Sequence, residues 1–137
     1  MTTISPRVLS PAPTTDQLID RATDAGLRVC WTPPSYERQA AYAHAAGTIW
    51  LRRDLTDAEA RSLLAHELGH HHYGDHGAQP DWIEARAWRW AARLLLPGCT
   101  YPVAELEHGP SVPALAEALG VTREVVLAHR EILRRAA

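Results

Sequence analysis

The sequence lacks three amino acids altogether, namely lysine, asparagine and phenylalanine, and it contains only 2 cysteines. Because the codons of the three missing residues are rich in A or T, their absence indicates a GC-rich bacterial or phage genome. Cys30 and Cys99 lie far apart and do not form a CxxC pair, which argues against a disulfide framework and against a thiolate zinc site.

The chain also has no apolar run of membrane-spanning length and no strong excess of charge. Residues 1–6 show no basic region followed by an apolar core, so we do not expect a leader sequence. We also expect no membrane partner, and we expect the protein to be cytoplasmic. The formal net charge of -2 argues against a protein that coats nucleic acid, so direct nucleic-acid binding is not expected. A length of 137 residues fits a single modest core.

Proline and glycine positions predict where the first elements begin and end. Three prolines within residues 1–13 predict an extended N-terminal arm, and residues 14–137 are expected to form one domain. Thr14 and Gln17 form a capping-box pair that begins a helix, and Gly26 ends it. A strand over 27–31 and a hairpin with strands over 40–43 and 48–51 are predicted to follow.

Helical patterns dominate the rest of the chain. Thr56 and Glu59 form a second capping-box pair, which predicts the start of a long helix. The next helix is predicted roughly over 81–96, with Arg86, Arg89 and Arg93 on the side opposite its apolar face. A proline-containing connection through residue 113 then leads to two last helices, 114–119 and 122–134, divided at Gly120.

The segment His66-Glu67-Leu68-Gly69-His70 predicts a metal site. On a helix, residues four apart lie about 40° apart around the axis, so His66 and His70 project from one face as a pair of zinc ligands. Glu67 lies about 100° away, where it can reach a water on the metal and act as a general base. Chance occurrence on an exposed helix is the alternative, but the flanking leucines and alanines indicate a buried helix, where unpaired imidazoles would be costly.

A catalytic zinc ion usually has three protein ligands, so a third ligand is needed. Glu84 is the lone acid on the apolar side of the following helix, and it completes a His₂Glu ligand set. His76 is the alternative, because the third histidine of the HExxHxxGxxH pattern would fall there, but Tyr73 occupies the glycine position of that pattern. We therefore predict that Zn²⁺ is bound by His66, His70 and Glu84.

Tyr73 is the second candidate catalytic residue beside Glu67. It shares the helix face of His66 and His70, from which its hydroxyl could donate a hydrogen bond to a developing oxyanion. Packing at the edge of the pocket is the alternative role. The sequence assigns no role to four other nearby polar residues: Tyr42, His44, His71 and His72.

The stretch from Leu64 to Pro97 resembles the ImmA/IrrE family of zinc metallopeptidases. The matching parts are Leu64-Ala65-His66-Glu67-Leu68-Gly69-His70 and the segment over 84–97, which is similar to the family signature ExxAxxFAAxLLxP. Trp90 stands where the family usually has Phe. The resemblance implies that His66, His70 and Glu84 are zinc ligands and that Glu67 is the catalytic base.

The elements and the ligand set together predict an α+β fold. We expect a zincin-like mini-domain of gluzincin type, in which a small antiparallel sheet packs on the HExxH helix. A C-terminal helical segment over 114–134 is expected to be similar to a helix-turn-helix and to belong to the same domain. The hairpin that ends in 48–51 offers an edge to which an extended substrate could add as a strand.

The resemblance implies a protein substrate, namely a helix-turn-helix repressor of a phage, a mobile element or a stress response. The residues themselves imply only peptide hydrolysis. One alternative is an antirepressor that binds a regulator without cutting it. Another is a DNA-binding module that uses residues 121–134, with Arg123 and Arg130 on the DNA.

Overall fold

Six helices and three strands make up the part of the chain that the computed structural model describes, residues 12–77 and 79–137. The predicted arm over 1–13 lies outside the described residues up to residue 11. None of the described helices has the length and apolar character needed to cross a lipid bilayer. In chain order the elements are α1 (Thr15–Asp24), β1 (Arg28–Thr32), β2 (Ala40–Ala43), β3 (Thr48–Arg52), α2 (Asp57–Tyr73), α3 (Asp81–Leu95), α4 (Thr100–His108), α5 (Val112–Leu119) and α6 (Arg123–Ala136).

The three strands form one mixed sheet in the order β1-β3-β2. β2 and β3 are the predicted antiparallel hairpin, with Ala43 opposite Thr48, but β1 pairs with β3 in parallel, with Arg28 opposite Thr48. The prediction of an antiparallel sheet was therefore wrong for β1. The chain reverses its direction twice between β1 and β3, so these two strands pair in parallel. The sequence near β1 does not indicate whether β1 pairs with β2 or with β3.

The central position of β3 means that only the other strand of the hairpin, β2, can pair with an added substrate strand. β3 has a partner strand on both sides, so the strand over 48–51 is not an edge of the sheet. Among the described strands, β1 and β2 are the two edges of the sheet, and β2 is the one that belongs to the hairpin.

The helix α2 is the centre around which the other elements pack. Its main contact is with α3, and it also contacts α1, β2 and β3. Thr56 and Glu59 form the predicted capping box at its start, and Gly74, with φ 71°, ends it in the left-handed region. The core consists of buried apolar side chains from both layers, including Leu18, Ile49, Leu51, Leu64, Leu68, Leu95, Leu115, Val125 and Val126.

The helix α4 lies in the stretch that the sequence analysis treated as a proline-containing connection. Pro102 falls in its first turn, where backbone N–H groups have no partner within the helix, so the proline costs no hydrogen bond there. Tyr101 and Ala104 are buried against the core. Proline therefore indicated a break where tertiary packing stabilises a helix.

The last two helices are tied to α2 by buried polar contacts. Gly120, with φ 65°, divides α5 from α6 as predicted. Arg61 of α2 donates to the carbonyl oxygens of Gly120 at 2.8 Å and of Pro13 at 2.7 Å. The Ser62 hydroxyl accepts a hydrogen bond from the Thr122 N–H at 3.0 Å. These contacts fix both ends of the described chain on the helix that carries the histidines.

Candidate metal centre

Two histidines of α2 and one glutamate of α3 bring their donor atoms together. Nε2 of His66 lies 2.9 Å from Oε1 of Glu84, and Nε2 of His70 lies 3.2 Å from Oε2 of the same carboxylate. The two Nε2 atoms are 3.2 Å apart, and one ligand atom from each residue lies within 4.8 Å of the others. The four-residue spacing on α2 sets the histidine pair, and the packing of α3 on α2 adds the carboxylate.

Asp75 orients one of these histidines. Gly74 turns the chain at the end of α2, so that the Asp75 N–H donates to the His70 carbonyl at 2.9 Å. Oδ2 of Asp75 then lies 3.0 Å from Nδ1 of His70, while Oδ1 accepts a hydrogen bond from Arg86 at 2.7 Å. Because an ionised carboxylate only accepts hydrogen bonds, the proton of His70 is on Nδ1 and its Nε2 is free to bind a metal.

The three donor atoms fit a metal cation better than they fit hydrogen bonds. Nε2 of His70 and Oε2 of Glu84 are both acceptors, and they lie 3.2 Å apart. A proton on Nε2 of His66 would not relieve their repulsion, whereas one cation bound by all three groups would. Ligands about 2.0 to 2.1 Å from a tetrahedral zinc lie about 3.3 to 3.4 Å apart. This is close to the 3.2 Å between the two Nε2 atoms.

The surroundings keep His66 neutral. Both rings are buried, and the indole of Trp88 stacks on the His66 ring with centroids 4.1 Å apart. Burial, together with the nearby His70, lowers the pKa of His66 to about 4. Neutral imidazole is the form that binds metals, so His66 is ready to bind a cation at neutral pH.

Glu67 is buried beside the same three groups. Burial, together with the charge of Glu84, raises the pKa of Glu67 to about 7, although His70 and Arg38 oppose the rise. A carboxyl group with a pKa near neutrality can both accept and return a proton at the pH of the cell. The position and the pKa suit the predicted role of general base.

A small polar cavity opens next to the cluster. Its volume is about 80 Å³, enough for two or three waters at about 30 Å³ each. It gives room for water and a peptide group beside the donor atoms. The lining residues are Arg38, Tyr42, Glu67, His70, Asp75, His76, Gly77, Gln79 and Glu84.

Two residues that the sequence analysis weighed lie apart from the donor atoms. Tyr73 does not line the cavity, and its ring packs under the Arg86 guanidinium, 4.0 Å from the ring centroid. His76 lines the cavity, but its ring stacks on His44 and its Nδ1 lies 3.2 Å from the Gly74 carbonyl oxygen. Of the two candidate third ligands, only Glu84 is in the cluster of donor atoms.

Tyr42 and Asp75 are site residues to which the sequence analysis gave no role. The Tyr42 hydroxyl lies 3.0 Å from Nδ1 of both His44 and His71, which ties β2 to α2. The signal for Asp75 was Gly74, because a left-handed glycine after a helix brings the next residue back onto the last turn. Arg86 was expected on the solvent side of α3, but it is partly buried by its bond to Asp75.

The sequence pattern of the IrrE N-terminal-like domain, a peptidase family, matches residues 22–130. The chain belongs to this family. The match spans the sheet, α2, α3 and all three members of the donor cluster, so the resemblance to the ImmA/IrrE family is confirmed. Membership in the IrrE N-terminal-like family indicates a metallopeptidase that acts on protein. No curated protein matches the chain.

Proposed function

We propose that the chain is a zinc-dependent metalloendopeptidase. The observation that carries the proposal is the convergence of His66, His70 and Glu84 beside a cavity that Glu67 also lines. Two imidazole nitrogens and one carboxylate form a donor set that zinc uses in catalytic sites, where a further position stays open for water. The Glu84 side chain is 42% exposed, in contrast to 6% for His66, so the cluster is open on the glutamate side.

The residues of the chain have separate tasks in this reaction. Zinc bound in the site would supply Lewis acidity, lowering the pKa of a water to about 7 and polarising a peptide carbonyl. Glu67 accepts a proton from the water that attacks the carbonyl carbon, and it returns a proton to the nitrogen as the C–N bond breaks. Asp75 holds His70 in the metal-binding tautomer.

The substrate is proposed to bind in an extended conformation along β2. β2 is one of the two edge strands of the described sheet, and its Tyr42 lines the cavity together with Glu67. A peptide added to this edge would satisfy its backbone groups through the sheet, and the scissile bond would pass over the cavity. The proposal assigns the substrate edge expected at the hairpin to the first of its two strands.

A helix-turn-helix repressor is the proposed partner, on the basis of the resemblance to the ImmA/IrrE family. The contacts of α6 favour a protein substrate over DNA. Nε of Arg130 donates to the Tyr101 hydroxyl at 2.9 Å, and its guanidinium also bonds to the Pro110 carbonyl. Arg130 is therefore used inside the fold, which leaves Arg123 as the exposed arginine of the predicted DNA-contacting pair.

Zinc content and cleavage of a repressor encoded by a neighbouring gene test the proposal. The wild type is expected to bind one zinc ion per chain and to cut the repressor, and Glu67→Gln to keep the zinc but lose about 100-fold or more of the rate. Glu107→Gln, on the exposed surface of α4, is the matched control and should cut normally. A wild type without zinc, or a fully active Glu67→Gln protein, would refute the proposal.

The antirepressor alternative gives a different result in the same experiment. If Glu67→Gln still relieves repression in a reporter assay while the repressor remains intact, the chain acts by binding. A peptidase requires relief of repression and cleavage to be lost together.

A further inference from the structure

The cavity beside the donor cluster is lined by one arginine, Arg38. Most of its polar lining residues have partners within the fold. The Tyr42 hydroxyl bonds to two histidines, the Gln79 amide donates to the carbonyls of His76 and Gly77, and Asp75 holds His70 and Arg86. Arg38 also lines the cavity, but among the described residues it forms no ion pair and no side-chain hydrogen bond.

The backbone on either side of Arg38 is held in place. The Arg52 N–H donates to the Gln39 carbonyl at 2.8 Å, and the Arg52 guanidinium reaches the Tyr36 carbonyl at 3.4 Å. Arg52 is in turn fixed by Asp54 at 2.6 Å. Arg38 therefore projects from an anchored segment that leads directly into the edge strand β2.

Arg38 is close enough to the cluster to act on it but does not touch its acids. Arg38 lines the same cavity as Glu67 and Glu84, yet no atom of its guanidinium lies within ion-pair distance of either carboxylate. Space for a ligand therefore remains between the guanidinium and these carboxylates. A guanidinium presents five N–H donors in a planar fork that matches a carboxylate in two parallel hydrogen bonds.

The charge balance of the loaded site also favours an anion at Arg38. In the loaded site Glu84 belongs to the metal-binding set, and Asp75 is paired with Arg86. Arg38 is then the uncompensated charge at the cavity. An acidic group on a bound peptide would neutralise it.

We propose that Arg38 is a carboxylate-binding subsite that selects peptides with an acidic group next to the scissile bond. The inference rests on the proposed peptidase function and adds a substrate class to it. The carboxylate has two possible sources, an Asp or Glu side chain and the C-terminal carboxylate of a peptide. Both would present the same planar anion to the guanidinium.

Short peptides in matched pairs test the subsite on the full zinc-loaded chain. A pool of peptides is first cut by the wild type, and mass spectrometry gives the residues that flank the cleavage sites. Peptides are then made with Glu or Gln at the selected position, each with a free or an amidated C terminus. These are given to the wild type, to Arg38→Gln, and to Arg53→Gln, whose exposed arginine does not line the cavity.

The wild type and Arg53→Gln are expected to prefer the Glu peptide by about tenfold in kcat/KM, mainly through KM, since a charge-assisted hydrogen bond at an exposed site supplies roughly this factor. Arg38→Gln should lose the preference, so that it cuts the Glu and Gln peptides at equal rates. If the wild type instead prefers the peptides with a free C terminus over the amidated ones, whether Glu or Gln is at the selected position, the bound group is the C terminus. Equal cutting of all peptides by the wild type, or an equal loss on Glu and Gln peptides in Arg38→Gln, would overturn the subsite.

A binding measurement separates this inference from the proposed function. Equilibrium titration of Glu67→Gln with the same peptide pairs should show tighter binding of the carboxylate-bearing member, and Arg38→Gln in that background should abolish the difference. If the wild type cuts no peptide, the same titration is made with Glu and Gln pairs drawn from the uncut pool. Charge-selective binding without cutting would then refute the peptidase and keep the subsite, and equal binding would refute the subsite.

Discussion

Gly69 of α2 contacts the backbone of Ala87 in α3, so that a Cβ atom at position 69 would lie only 2.9 Å from the Ala87 carbonyl oxygen. The two helices that supply the donor atoms therefore touch through their backbones one residue before His70 and three residues after Glu84. The distance between the histidine pair and the glutamate depends on this contact.

Gly69→Ala is expected to destabilise the fold and to weaken metal binding. The added methyl group must push α3 away, which typically costs about 1 to 3 kcal/mol and widens the donor cluster. Helix propensity alone would stabilise the variant by about 1 kcal/mol, so the sign of the change separates the two effects. Urea unfolding of the metal-free protein and zinc titration measure both quantities. A more stable variant with unchanged zinc affinity would contradict the close helix contact.

Asp75→Asn is expected to lower zinc affinity by about 10- to 100-fold, as is common when the hydrogen-bond partner of a metal-binding histidine is changed. The amide no longer fixes the proton on Nδ1 of His70 as a carboxylate does. Competition with a coloured chelator measures the affinity. Asp24→Asn, at the exposed end of α1, is the control and should bind zinc like the wild type.

Glu84→Gln is expected to lose most of the bound zinc, whereas His76→Ala should retain it. The glutamate carboxylate lies within 2.9 Å of His66, while His76 is engaged with His44 and the Gly74 carbonyl. Metal analysis after gel filtration compares the two variants. The opposite pattern would make His76 the third ligand and would remove the basis of the His₂Glu site.

Arg61→Ala is expected to reduce the free energy of unfolding by about 2 to 4 kcal/mol, since partly buried carbonyl groups would lose a charged donor. The carbonyls belong to Pro13, Leu119 and Gly120. Chemical denaturation of the metal-free protein gives the value. Arg53→Ala, at an exposed position, should change the stability by no more than about 0.5 kcal/mol.

His129 is expected to make the fold less stable in mild acid. Burial lowers the pKa of His129 below its ordinary value of 6.5, and Glu105 opposes the shift only partly. The unfolded chain therefore binds a proton more readily than the folded chain, and stability falls as the pH drops through about 6.5. The loss between pH 8 and pH 5.5 should be smaller in metal-free His129→Gln than in the metal-free wild type. Equal losses would assign the acid sensitivity to other groups.

Local patterns predicted much of the secondary structure because they depend on neighbouring residues. The capping boxes at Thr14 and Thr56, and the break at Gly120, lie where the structure has them. The helix α4 was missed because a proline in a first turn has the same local signal as a loop. The parallel pairing of β1 was missed because the choice between β2 and β3 as its partner is made by packing.

The sequence by itself determined that His66 and His70 share one face of a helix, because the helical repeat alone sets their angle. It also singled out Glu84, because this residue is the lone acid on the apolar side of α3. Only the tertiary structure decided that this carboxylate meets both imidazoles, because that meeting depends on the close approach of Gly69 to Ala87. The same is true of Asp75 behind His70 and of Arg38 at the cavity, since each lies there through a turn or a strand pairing that no residue spacing encodes.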